Sequence, residues 1–410
     1  MGSEWPKIKV GDLADSISDT HCFGKDHLVF LNTSDVAFGK VLHHTYTAIH
    51  NWPGQAKKSI QKDDILFSEI RPANGRWAYI DFEAEDYVVS TKLMVIRSKI
   101  NRIHPRFLYH FLTSSKTTSW LQHLAESRSG TFPQITFDQV ADLELVLPPI
   151  AIQLKISSFL DTLNDKIELN RKMNETLEAM TRSLFKSWFV DFDHVHSKVA
   201  GRDPSLPKHI ADLFPDSFED SELGEIPKGW KVKQLGELLE LAYGKALKSD
   251  NRQHGIVPVY GSNGQVGWHD EKLVAGPGIV VGRKGNPGII TWSPTDFFPI
   301  DTTFYVIPKD SCRDLHFLFY ALQMHNLASI GADSAVPGLN RNLAYMSKQL
   351  VPPTRALEEF GQLVRVNFER IHQSNEESNT LAALRDALLP KLISGELRIK
   401  DAERFIERSI

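Results

Sequence analysis

LPPIAIQLKISSFLDTLNDKIELNRKMNETLEAM runs from Leu147 to Met180, and VPPTRALEEFGQLVRVNFERIHQSNEESNTLAAL runs from Val351 to Leu384. Pro148 and Pro352 stand 204 positions apart, and the offset holds onward through both segments. Proline has no N–H to donate and its ring clashes with the preceding turn, so each segment begins a helix at its Pro-Pro pair. In the first, Leu160, Leu163, Ile167, Asn170, Asn174, Leu177, Thr181, Leu184 and Trp188 recur at alternating intervals of three and four. In the second, Val364, Asn367, Ile371, Ser374, Ser378, Leu381, Arg385, Leu388 and Leu392 keep the same rhythm. Each set is a heptad seam with apolar ends and a polar middle. Two matched seams in one chain predict a helix pair. Ser394-Gly395 reads as the stop of the second helix, because glycine takes the left-handed C-terminal conformation without penalty.

Upstream of each helix the chain repeats as well. VGDLADSI at Val10 resembles LGELLELA at Leu235, DILF at Asp64 resembles GIVV at Gly278, and STKLMVI at Ser90 resembles DTTFYVI at Asp301. RFLYHFL and LHFLFYAL are short helices, and Pro133 of TFPQI meets Pro337 of AVPGL at the same offset of 204. Between them lie β-rich runs broken by the turns RPANG, YGSNG and RKGNPG. The expected fold is α+β, two similar domains each followed by a long helix. The boundaries read as a first domain at 1–147, a helical region at 148–196, a Pro-, Asp- and Ser-rich linker at 197–224, a second domain at 225–350, a second helical region at 351–400, and a tail at 401–410.

Length and charge narrow the function. The chain has 410 residues and a formal net charge of −4, so any basic face for a nucleic acid must be local. Cys22 and Cys312 cannot make a disulfide framework or a four-ligand zinc site, and a reduced, cytoplasmic setting is expected. The start MGSEWPKIKV lacks the apolar core of a signal peptide, and no run approaches the ~20 apolar residues of a membrane helix.

Little in the sequence points to catalysis. The Asn/Asp-Pro-Pro-aromatic tetrapeptide that amino-methyltransferases use to hold a flipped base is absent, since LPPI and VPPT lack both the polar lead and the aromatic. Gly244-Lys245 has the wrong neighbours for a phosphate-binding loop, and YGSNGQVG is not followed by the helix that a dinucleotide fingerprint needs. Asp64 with Glu69 and Arg71 loosely suggests a nuclease metal site, but a strand edge with ordinary charges is the plainer reading. His194 and His196 lack a third ligand nearby, and His43-His44 is weaker still. No catalytic, cofactor-binding or metal-ligating residue is assigned.

What remains are loops of Arg, Lys, Asn, Gln and Ser. Arg71, Asn74 and Arg76 fall in one loop of the first copy, and Arg283, Lys284 and Asn286 in the matching loop of the second. Gln134, Ser262, Asn263, Gln265 and Arg341 are of the same type. Such side chains read base edges in a major groove or clasp phosphates, and are the candidate DNA contacts. A solvated turn is the competing reading for each one singly.

Taken together, LPPIAIQLKISSFLDTLNDKIELNRKMNETLEAM, SLFKSWFVDFD, LFPDSFEDSELGEIPKGW and ALRDALLPKLISGELRI resemble the specificity subunits of type I restriction-modification systems, over essentially the whole chain. Where that family often has Glu-Gln after the second Pro pair, this chain has Glu358-Glu359, and Gln153-Leu154 in the first copy. The resemblance implies a protein without catalysis of its own, whose two target-recognition domains each read half of a split, asymmetric site in double-stranded DNA. It also implies an antiparallel coiled coil with approximate two-fold symmetry that holds two modification subunits, users of S-adenosylmethionine, and is joined by restriction subunits that use ATP and magnesium. Trp188 and Phe189 are expected on an outer face covered by such a partner. A metal-dependent nuclease, or a coiled-coil scaffold with protein- or sugar-binding β-rich domains, is the alternative.

Overall fold

The computed structural model describes residues 5–99, 101–128, 133–203, 205–330 and 338–407. The chain divides into two compact units, residues 1–169 with 377–410 and residues 170–376. In the first, β1 (Lys7–Lys9), α1 (Val10–Leu13), β2 (Ala14–Ile17), β3 (His27–Leu31), β4 (Val36–Ala37), β5 (Lys40–Val41), β6 (Thr47–Ala48) and β7 (Ala56–Ser59) come first. β8 (Ile65–Ser68), β9 (Trp77–Tyr79), β10 (Tyr87–Ser90), β11 (Leu93–Ser98), α2 (Pro105–Leu112), α3 (Ser115–Arg128), α4 (Phe137–Ala141) and β12 (Glu144–Val146) follow. The long helix α5 (Ile150–Phe189) supplies residues to both units.

The second unit continues with α6 (Asp193–Val199), α7 (Lys208–Ala211), β13 (Phe218–Ser221), β14 (Gly224–Pro227), β15 (Lys231–Gln234), α8 (Leu235–Leu238) and β16 (Leu239–Tyr243). Then come β17 (Val257–Gly261), β18 (Gly264–His269), β19 (Gly278–Gly282), β20 (Ile290–Ser293), β21 (Phe298–Pro299), β22 (Thr303–Pro308), α9 (Leu315–Met324), α10 (Arg341–Tyr345) and β23 (Lys348–Val351). α11 (Thr354–Ser394) and α12 (Ile399–Glu407) end the described chain.

The duplication read from sequence is visible in strand order. The first unit has a sheet β2-β11-β8-β9, the second β16-β22-β19-β20, with antiparallel pairing throughout. A second sheet in each contains one parallel pair, β3 with β10 and β17 with β21. A short ladder then closes each domain just before its Pro-Pro pair, β1 on β12 and β15 on β23. β8 and β19 are apolar without alternation because both faces are covered. Ile65 and Phe67 pack with the helices and Leu66 with the second sheet, while Ile279 and Val281 divide from Val280 in the same way. Each such side chain contributes about 1.5–3 kcal/mol.

Burial varies along the positions that spacing assigns to the seam. Leu160, Leu163, Val364, Leu381, Leu388 and Leu392 are buried, and Ile167, Leu177, Leu184 and Ile371 are half-buried. In the first unit Arg385 Nη1 donates to Asn164 Oδ1 at 2.8 Å, and Lys166 pairs with Glu377 at 3.2 Å. In the second, Asn174 Nδ2 donates to Asn375 Oδ1 at 2.8 Å and Asn367 Nδ2 to Thr181 Oγ1 at 3.2 Å. Partners fall in number along α11 as they rise along α5, so the pair is antiparallel. Asn170, fully buried, donates to the Ser374 carbonyl at 3.3 Å, residues separated by the repeat offset itself, so the two copies meet at equivalent positions there. Gly361 marks how tightly α11 seats, since a Cβ there would lie 2.0 Å from the Asp314 carboxylate that caps α9.

Three expectations are corrected. Trp188 and Phe189 are 1 % and 6 % exposed, locked among Phe214, Trp230, Phe317 and Phe360, so they belong to the second unit's own core and offer no outer face. Residues 197–224 are no bare linker. Ile210 and Phe214 sink into that same core, because Trp188 leaves an aromatic wall that needs covering. The tail past 400 continues α12, with Ala402 buried, through Glu407. Pro337 and residues 408–410 lie outside the described residues. Among the described residues no helix is long and apolar enough to cross a membrane.

Candidate nucleic-acid interface

The loop joining β8 to β9 and the loop joining β19 to β20 each dock on an equivalent backbone seat within their own unit. Ile135 N–H donates to the Glu69 carbonyl and Leu339 N–H to the Arg283 carbonyl, both at 2.9 Å. Ile70 bridges Gln134, and Lys284 bridges Gly338. Residues 134 and 338, and 135 and 339, are each 204 apart, so the repeat preserves the seat while the loops change. Side chains do not match across it. Arg283 stands where the first loop has Glu69, and Arg71 stands where the second has Gly285. That position is left-handed in both loops, φ 46° at Arg71 and 82° at Gly285. Glycine takes this conformation freely, whereas an arginine pays steric strain.

In the first loop Arg71 and Asn74 are exposed, and Gln134 is half-exposed on the seat. Arg76 is turned into its own fold, donating from Nη1 to the Ser34 and Val36 carbonyls at 3.1 and 3.4 Å. α3 braces the loop, with Gln122 Oε1 accepting Ala73 N–H at 3.1 Å. Beside it projects Phe38, 74 % exposed with φ 46°, its ring filling the space where Gly75 would carry a Cβ. Phe38 is not among the candidates legible in the sequence. Its signal is the turn Phe38-Gly39 between β4 and β5.

In the second unit the structure brings most of the candidates together. Ser262 Oγ donates within the fold, to the Lys284 and Thr302 carbonyls, and ties the β17–β18 hairpin tip to the loop. Asn263 and Gln265 on that hairpin, and Lys284 and Asn286 on the loop, are exposed. Arg283 and Arg341 converge on the ring of Tyr243, each guanidinium 4.9 Å from its centroid. Tyr243 was not a sequence candidate. Its only hint was an aromatic closing an apolar strand just before a glycine.

The other chemistry considered from sequence finds ordinary partners. Asp64 is fully buried in a bidentate pair with Arg97, at 2.7 and 2.8 Å, and accepts Gln61 N–H at 2.8 Å. Its oxygens are therefore committed and Glu69 lies on the loop seat, so the pair does not make a metal site. His194 packs on Trp188 and Phe214, His196 on Phe218, and His44 Nδ1 bonds the Tyr87 hydroxyl at 2.6 Å. Among the described residues no group of three or more His, Cys, Asp or Glu is placed to hold a metal. Gln153, at the start of α5, is buried and bonds both the Pro148 carbonyl and the His104 N–H.

One α+β unit made twice, with equivalent seats carrying two unlike polar loops, defines a protein built by internal duplication. Residues 2–179 and 227–341 match the model of the type I restriction modification DNA specificity domain. The chain is 32 % identical to the specificity subunit of the HindI type I restriction enzyme of Haemophilus influenzae, over 96 % of this chain and all of that one. It is 26 % identical to the MjaIX specificity subunit of Methanocaldococcus jannaschii, over 72 % and 69 % of the two chains. A crystal structure of the type I restriction-modification S subunit from M. genitalium shares the fold, with a TM-score of 0.56 at 18 % identity, over 95 % of this chain and 96 % of that one. The chain belongs to the family of type I restriction enzyme specificity subunits, with DNA recognition domains.

Proposed function

We propose that the chain reads a split, asymmetric duplex target, one half with each α+β domain, and that its paired helices hold two modification subunits. Those partners would supply adenine methylation from S-adenosylmethionine, and restriction subunits would add ATP- and magnesium-dependent translocation and cleavage. No catalytic step is assigned to this chain. The observation that carries the reading is the conserved seat with exchanged loops: one scaffold with two different side-chain sets suits two different half-sequences, since base contacts and not scaffold contacts specify sequence. Replacing residues 1–147 with the equivalent domain of a relative tests it. Methylome mapping should show one half of the target changed and the other unchanged. A target altered in both halves, or in neither, would refute the assignment of one half to each domain.

A further inference from the structure

Tyr243 ends β16, the outer strand of its sheet, and is 52 % exposed. An edge strand leaves backbone groups without a ladder partner, and here α10 supplies two. The Tyr345 hydroxyl accepts Leu241 N–H at 2.8 Å, and Arg341 Nη1 donates to the Leu241 carbonyl at 3.2 Å. That second bond carries the Arg341 guanidinium over the Tyr243 ring. From the β19–β20 loop, Arg283 Nη1 donates to the Asp301 carbonyl at 2.8 Å, which brings a second guanidinium to the same ring. With both carbons 4.9 Å from one centroid, the cations are separated by at most twice that, 9.8 Å. Among the described residues, neither forms an ion pair with a carboxylate. Two like charges so close repel one another, and the ring's negative face offsets only part of this. An anion would complete the site.

We propose that Tyr243, Arg283 and Arg341 form a clamp on the sugar-phosphate backbone of duplex DNA, with Tyr243 as the positioning residue. The proposal rests on the DNA-specificity reading and deepens it. A base-reading arginine needs a fork free to align with one base edge. These two are each tethered through Nη1 to the main chain and pinned to a ring, so what they offer jointly is a fixed pair of charges with N–H donors to spare. That suits phosphate. The equivalent positions in the first domain hold Ser18 and Phe137, so the clamp belongs to the second domain alone and fixes its register on DNA.

The test measures binding of the complex of this chain with its modification subunit to two duplexes, one with the mapped target and one without, over a salt series. R283A and R341A should each reduce the slope of log K against log salt by about 0.9, on both duplexes, with the methylated sequence unchanged. Y243A should lower the slope in the same direction, and Y243F should keep the wild-type value, because the ring and not the hydroxyl holds the cations. Should Y243A melt early, the two arginine variants carry the test. Folded R283A and R341A with an unchanged slope overturn the clamp, as does a relaxed base position in the methylome without a slope change. A wild-type complex that cannot tell the duplexes apart removes the DNA-specificity reading itself, and the clamp with it.

Discussion

Arg71 occupies a left-handed backbone position that its twin loop gives to Gly285. An L-residue with a Cβ is disfavoured there by roughly 1–2 kcal/mol, and strain of this kind persists where a side chain is needed. Arg71→Gly is therefore expected to stabilise the fold by about 1 kcal/mol while degrading recognition of the first half-target. Denaturant melts and methylome mapping read the two effects separately, and a stabilised variant with unaltered target choice would show that the guanidinium is dispensable. His325 carries a different residue-scale expectation. Burial lowers its pKa below the usual 6.5, with the Gln349 side chain, 2.9 Å away, partly opposing the shift. Below 6.5 the unfolded chain takes up a proton that the folded chain refuses, so the His325 contribution is fully present above 6.5 and is lost as pH falls through the folded value. His104 shifts in the same direction, also by burial. His325→Gln should thus flatten the loss of stability between pH 7.5 and 5.5, and an unchanged pH slope would count against the assignment.

At the scale of elements, the long helices divide their labour along their length. Their ends bury large apolar side chains with the domain cores, whereas the middle buries the polar Asn170, Asn174 and Ser374. Buried polar seam residues cost stability but set register. Trp188→Ala removes a core side chain and should cost about 3–5 kcal/mol, read as a lowered denaturation midpoint of the chain by itself. A loss of partner binding with no change in stability would instead restore the outer-face reading. Inserting four residues into α5 near Asn174 adds about 6 Å. If helix length sets the distance between half-targets, the unread gap should lengthen by one or two base pairs, at about 3.4 Å each, with both half-sequences kept. Methylation at the original gap by a folded insertion variant would show that the helices do not act as a ruler.

Across the whole molecule, the repeat offset of 204 is the deepest regularity, and it was legible because it recurs in three separate kinds of feature. It spaces the Pro-Pro pairs, the helix seams, and the residues that seat the β8–β9 and β19–β20 loops. Matching Arg71 with Arg283 was beyond that regularity. The loops differ in length and turn geometry, so position in sequence did not translate into position on the seat, and only the backbone bonds to Ile135 and Leu339 revealed the shift. The same limit applied to Ser262 and Arg76. Their side chains are of a type that contacts DNA, yet both spend hydrogen bonds on their own main chain.

The sequence by itself determined the duplication, the α+β class, the two helices and their seams. The helices rest on local rules, such as proline at helix starts and heptad spacing, that act within a few turns of chain, and the duplication on an offset that recurs along the whole sequence. Tertiary structure alone decided which side chains face outward. Trp188 and Phe189 carry the same hydrophobicity whether they meet a partner or Phe214 and Phe360, and nothing near them in sequence tells the two apart. Tyr243 likewise gathers Arg283 and Arg341 from 40 and 98 residues away, the separations between their numbers. Cation and ring meet there because an edge strand, a loop and a short helix converge, and convergence over that distance is a property of packing and not of spacing.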